Sequence, residues 1–204
     1  FGSTWLLTRL PYPWLKTAAR GFISLGYFFV VKQKKLAEES LKIAFGAEKS
    51  DQELKTITKK CFTNLGQGMI ELIYFMAYPH YISKKVSIIG KQHLEAALQK
   101  GKGVIAVSAH FGNFPLMLLR LVQEGYKTNA IIRSARDETI ERYFQQQRTN
   151  LGLKTIYSHP RKVCVETAIK ALRNNEVLFI PLDQNFGSSG GVFVEFFGQK
   201  AATA

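Results

Sequence analysis

The 204-residue sequence predicts an α/β fold, a mostly parallel sheet flanked by helices, preceded by a helical segment that associates with a membrane. Three observations lead there. From Val86 onward, short apolar runs alternate with longer amphipathic ones, the pattern of βαβ units. Before Val86 the apolar spacing is helical only. Lys and Arg outnumber Asp and Glu by 28 to 15, a net charge of +13. Such a field favours nucleic acid, anionic headgroups or acidic proteins, and it says nothing about fold. The expected organisation is residues 1–84 as an interfacial helical segment and 85–204 as the α/β core, within one structural domain overall.

The elements follow in order. Gly21–Val31 is the longest uncharged apolar run, about half of the ~20 residues a bilayer crossing needs. Lys16 and Arg20 prevent its extension. Trp5, Tyr12, Trp14, Tyr27 and Phe28 are residue types that settle at a membrane–water boundary, and Lys32, Lys34 and Lys35 follow at once. Aromatic residues flanked by cations suit a helix lying in the headgroup plane of an anionic leaflet. A buried helix of the domain is the other reading, and periodicity does not separate the two. Leu36–Phe45 reads as a helix closed by Gly46. Ser50 and Glu53 have the S-x-x-E spacing of a capping box, opening a helix to Met76 whose stripe is Leu54, Ile57, Cys61, Leu65, Met69, Leu72 and Phe75.

The alternating part begins with a strand at Val86–Ile89 and a helix at Gln92–Lys100. A buried strand at Gly103–Val107 and a helix at Asn113–Glu124 come next. Thr128–Arg133 (strand), Asp137–Asn150 (helix), Lys154–Tyr157 (strand) and Val163–Asn174 (helix) continue the pattern. Val177–Pro181 and Val192–Phe197 are the last predicted strands. Cys61 and Cys164 show no metal or redox spacing and are read as reduced core residues of a cytosolic compartment. The chain starts without methionine and stops on AATA just after a strand-like run, so the expectation is a C-terminally truncated domain.

In open sheets of this kind ligands sit outside the carboxyl ends of the strands. Three strand ends there turn polar: Ser108-Ala109-His110, Arg133-Ser134-Ala135-Arg136 and Asp183-Gln184-Asn185. His80, His93 and His159 lie in polar, loop-like or short helical sequence and read as solvated. His110 differs, because it follows an apolar strand and precedes Gly112 and Asn113 at a helix start. A histidine there can take a proton from a hydroxyl near neutral pH. On spacing alone it can equally cap the helix.

The run SAHFGNF resembles the HFGNWE block of the bacterial lipid A late acyltransferase family, the lauroyl and myristoyl transferases, within the wider glycerolipid and lysophospholipid acyltransferases. LPYPWL, FTNLGQGMIELI, the I-G-x-x-H-L-E-A-A-L stretch from Ile89 to Leu98, GKGVIAVSAHFGNF, AIIRSAR, PLDQNFGSSGGVFVEFFG and the final AAT are similar to that family in the same order. The resemblance implies acyl transfer from an acyl carrier protein or CoA thioester to a hydroxyl of a lipid A precursor or related glycolipid, at the cytoplasmic face of an inner membrane. His110 would be the general base and amides around Gly112 and Asn113 donors to the oxyanion. Arg133, Arg136 and Gln184 would bind substrate. The chemistry calls for no cofactor and no metal.

The sequence departs from the family's H-x-x-x-x-D/E signature, since Pro115 stands where the acid belongs. Proline is acceptable in a helix's first turn but does no work of a carboxylate. Asp183, in the split Pro181-Leu182-Asp183-Gln184 block, is the preferred substitute, with Glu195 and Glu71 behind it. Asp183 holding Arg133 or a sugar hydroxyl stays open. So does a catalytically weak or inactive lipid-binding relative. Nucleic-acid binding rests on charge alone, with no motif to support it, and is set aside. The Gly187–Gly191 loop reads as a strand connection, not a phosphate loop.

Overall fold

In a computed structural model of the chain, residues 9–184 and 191–203 are described. Trp5 and most of the Gly187–Gly191 loop lie outside them. The chain divides into two compact units at Ala77/Tyr78, and the last hairpin groups with the first unit.

The first unit holds helices α1 (Tyr12–Gly26), α2 (Val31–Phe45) and α3 (Asp51–Ala77) and the antiparallel hairpin of β5 (Val192–Phe196) and β6 (Gln199–Thr203). Proline opens α1, where its missing amide costs nothing. The capping box at the start of α3 forms: the Ser50 amide donates to Glu53 at 2.8 Å and the Glu53 amide to Ser50 Oγ at 3.4 Å. Helices α1 and α3 pack closely. At the crossing, a Cβ on Gly66 would meet the Ile23 side chain at 2.8 Å, so a larger residue there would push Ile23 out of its place. Leu15, Ala19, Leu54, Leu72 and Phe75 are buried. Full burial of a leucine side chain stabilises by about 1.5–3 kcal/mol. The predicted stripe on α3 breaks in the middle, because Cys61, Leu65 and Met69 are exposed while Thr58 is buried and donates to the Leu54 carbonyl at 3.0 Å. Cys61 is therefore not a core residue, whereas Cys164 is. No helix among the described residues is long and apolar enough to cross a membrane.

The second unit is α/β, a parallel sheet flanked by helices. After a 3-10 turn (Pro79–Tyr81), α4 (Ile82–Lys85) and α5 (Lys91–Leu98) come β1 (Val104–Ser108), α6 (Phe114–Gln123), β2 (Thr128–Ile132), α7 (Glu138–Asn150), β3 (Lys154–Tyr157), α8 (Arg161–Arg173) and β4 (Val177–Pro181). The strand order is β1-β4-β2-β3, every pair parallel. Helix α8 covers the face of Ile131, Ile156 and Leu178, and Phe114 of α6 stacks on Phe179, whose side chain projects from the opposite face. Two expectations change here. Val86–Ile89 is not a strand: the Val86 carbonyl accepts from Arg120 Nε at 3.0 Å instead of a neighbouring strand, and Ile89 is exposed. The strand at Val104–Ser108 is not buried on both faces. It is an edge of the sheet, and Ile105 and Val107 extend beyond the reach of α8 and are exposed. β6 is an element that the sequence pattern did not predict, since QKAAT lacks β-branched alternation.

Candidate active site

Strand pairing brings the first two groups together. Ser108 is level with Pro181 in the adjacent strands β1 and β4, and the Leu182 amide donates to the Ser108 carbonyl at 3.0 Å. The ladder thus continues past both strands, and His110 and Asp183 leave it side by side. Asp183 accepts twice from the same residue. Its Oδ2 takes the His110 backbone N–H at 2.7 Å, and its Oδ1 lies 2.7 Å from His110 Nδ1. Burial pushes the Asp183 carboxyl up, but the ring and backbone hydrogen bonds from His110 outweigh it and hold the acid below its usual value. The carboxylate is therefore ionised at neutral pH, accepts only, and makes Nδ1 the donor. The lone pair of the neutral ring then sits on Nε2, the nitrogen that faces away from Asp183.

The ring is held from a second side. Phe114 meets it edge-to-face, centroids 5.0 Å apart at 82°, and Phe114 in turn stacks on buried Phe179 at 5.8 Å and 9°. About a third of the His110 side chain, 34%, remains exposed. Gln184 places its amide nitrogen 3.4 Å from Nε2, at the long end of hydrogen-bond range. Gly112 turns the chain into α6 with φ +59°, the left-handed region that glycine takes without strain. Asn113 is the residue before the helix, and Pro115 its second residue, half-buried and without a polar side chain.

The other acids sit elsewhere. Glu71 accepts from Tyr12 OH at 2.6 Å, and Glu195 is opposite Lys200 in the hairpin. Arg133 and Arg136 follow β2 at the same carboxyl edge of the sheet, with β4 between β2 and β1, so the strand axes are about 10 Å apart. Both arginines are exposed and pair with no described residue. His80, His93 and His159 are exposed.

Reading along the sequence missed a polar cluster, half-buried around the buried Arg148, beneath that arginine loop. Glu141 Oε1 accepts from Arg148 Nη2 at 2.8 Å and Tyr157 OH at 3.1 Å, and its Oε2 accepts from the Ala135 amide at 2.6 Å. Arg148 also donates to Thr155 Oγ1 at 2.9 Å. Burial raises the Glu141 carboxyl and these donors together lower it further, so it stays ionised. The available signal was spacing: an acid and an arginine seven residues apart share one helix face.

The fold and site define an α/β protein with a hydrogen-bonded histidine–carboxylate pair on the carboxyl rim of a parallel sheet and cations along the same rim, an arrangement that general acid–base chemistry can use. The chain belongs to the bacterial lipid A biosynthesis acyltransferase family, whose profile it matches over residues 1–204. It is 27% identical over 205 residues to the lipid A biosynthesis lauroyltransferase of Escherichia coli (strain K12), covering 99% of this chain and 65% of that protein. It is 23% identical over 199 residues to the palmitoleoyltransferase of the same strain, covering 96% and 62%. A phosphatidylinositol mannoside acyltransferase of Mycobacterium tuberculosis (strain CDC 1551 / Oshkosh) is 29% identical over 111 residues, 54% of this chain and 35% of that protein. The chain thus spans less than two thirds of the lengths of the lipid A relatives it matches.

Proposed function

We propose that the protein containing this chain moves a fatty acyl group from a carrier thioester, on acyl carrier protein or CoA, to a hydroxyl of a lipid A precursor or related glycolipid. The observation that carries the reading is the bond from His110 Nδ1 to Asp183 Oδ1 at 2.7 Å. It supplies from β4 the acid that Pro115 removes from the usual position. His110 Nε2 takes the proton of the acceptor hydroxyl as its oxygen attacks the thioester carbonyl. The C–O bond forms, the oxyanion is held by amides of the Gly112–Asn113 turn, and collapse breaks the C–S bond. The imidazolium returns the proton to the departing thiolate. Asp183 holds the tautomer and stabilises the imidazolium. Gln184, now against Nε2, gives its place to the hydroxyl. Arg133 and Arg136 meet a phosphate of the acceptor or of the donor's phosphopantetheine, for which a planar guanidinium is suited.

Exposed Trp14, Phe22, Leu25, Phe28 and Phe29 on and just after α1, beside exposed Arg20, Lys32 and Lys35, support a resting place in the headgroup layer of an anionic leaflet. We place that leaflet at the cytoplasmic face of an inner membrane, where an acidic carrier protein meets the basic chain.

The test is acyl transfer to a lipid A precursor by the full-length protein against His110→Ala, with circular dichroism to show that both fold. General-base loss removes about 10²–10⁴-fold of the rate. Equal inertness of the two proteins, with lipid binding retained, would replace the enzyme by a lipid-binding relative.

A further inference from the structure

The cluster of Glu141, Arg148 and Tyr157 takes no part in the proposed proton transfer, yet it is the most enclosed group of charges on the carboxyl side of the sheet. The Arg148 and Glu141 side chains are 11% and 15% exposed. Glu141 is fully engaged, by a guanidinium, a phenol and the Ala135 amide. That amide belongs to the segment between β2 and α7, with Arg133 on one side of it and Arg136 on the other. Asp137 caps the same helix separately, accepting from the Thr139 and Ile140 amides at 2.8 and 2.9 Å. The start of α7 therefore does not need Glu141 for its cap. What Glu141 adds is a fixed point in the loop, anchored through Arg148 and Tyr157 to α7 and β3.

The electrostatics have the same consequence. The Glu141 charge is spent on Arg148, so it does not neutralise Arg133 or Arg136, which remain exposed and unpaired among the described residues. A loop that keeps its cations free while its backbone is pinned is preorganised for an anion and loses little freedom on binding.

We propose that Glu141 is a positioning residue: through the Ala135 amide it fixes the loop so that Arg133 is presented to a phosphate group of the substrate. The inference rests on the reading that Arg133 meets such a group. Arg148 and Tyr157 aim the carboxylate, and Glu141 itself touches no substrate.

The experiment measures KM and kcat for the phosphate-bearing substrates with the full-length protein, comparing wild type, Glu141→Gln, Arg133→Gln and the double variant. Arg133→Gln is expected to raise KM about tenfold, the size of one lost charge-assisted contact. Glu141→Gln should raise KM severalfold with kcat nearly unchanged, and the double variant should match Arg133→Gln alone, because residues acting through one contact do not add. Multiplying effects would show a structural role only and overturn the proposal. If Glu141→Gln does not fold, Tyr157→Phe, which keeps the Glu141–Arg148 pair, should give a smaller KM rise that vanishes in the Arg133→Gln background, and an unchanged KM would overturn the proposal as well. An Arg133→Gln protein with wild-type KM overturns the substrate reading beneath it. A normal Arg133 effect with no coupling sinks this inference alone.

Discussion

In the sheet unit Val177, Leu178 and Phe179 are 1%, 2% and 2% exposed, whereas in the helical unit Trp14, Phe22, Phe28 and Phe29 are 71–80% exposed. Both sets are large apolar side chains. Strand β4 lies between β1 and β2 with covering side chains on each face, so its apolar residues have neighbours wherever they point. Helix α1 fully buries only Leu15 and Ala19 and half-buries Tyr12 and Ile23, a narrow stripe against α3, while Trp14, Phe22 and Leu25 are displayed. The same kinds of side chain stabilise one unit by burial and stand exposed in the other. Large exposed apolar patches commonly mark interaction sites, and the proposed resting place of this surface on an anionic leaflet is open to direct test.

The comparison breaks most easily in the sheet. Leu178→Ala removes a side chain packed among Ile156, Cys164, Ala168 and Leu172, and the cavity should cost about 2–5 kcal/mol of unfolding free energy in denaturant titration. A loss under about 1 kcal/mol would mean that the core is not assembled this way. On α1 and just after it, the paired change Phe22→Ser and Phe28→Ser should alter stability by less than about 0.5 kcal/mol per site. It should instead reduce cosedimentation of the full-length protein with anionic vesicles severalfold, with little effect on neutral ones. Unchanged sedimentation would remove the interfacial reading of this surface while leaving the sheet's chemistry intact.

What was legible in the sequence follows the same division. Wherever period and turn chemistry agreed, as at Ser50–Glu53 or the Lys154–Tyr157 strand, the elements formed with those bounds or nearly so. Local pattern does not carry strand order, so nothing in Gly103–Val107 told that β1 is an edge. Val86–Ile89 looked like a strand because apolar residues alternate there, but a strand also needs a partner, and an arginine side chain took that role. The neighbouring positions of His110 and Asp183 depend on residues 73 positions apart in the sequence folding back in register. Only the polar ends of both strands, and the family pattern around them, pointed to that pair. The Glu141 cluster left a weaker trace, since a charged residue's burial is decided by the elements that close over it.

The smallest expected effect is the most specific to the rim. Asp183 has its folded-state carboxyl held below the unfolded value by His110, despite burial acting the other way. A depressed acid stabilises the fold at every pH above its unfolded value, about 3.9, and that contribution is lost as pH falls from there through the lower folded value. The acid limb of a stability–pH curve should therefore be shallower in Asp183→Asn than in wild type, while Asp51→Asn, whose partner Lys42 is a surface lysine, should change it less at moderate salt. Above that window Asp183→Asn removes the acceptor that fixes Nδ1 as donor. Its acyl transfer rate should fall at neutral pH by far more than the modest loss of melting temperature expected there explains. Parallel acid limbs in the two proteins would show that the His110–Asp183 bond does not persist in solution, and the base would then lack its orienting acid.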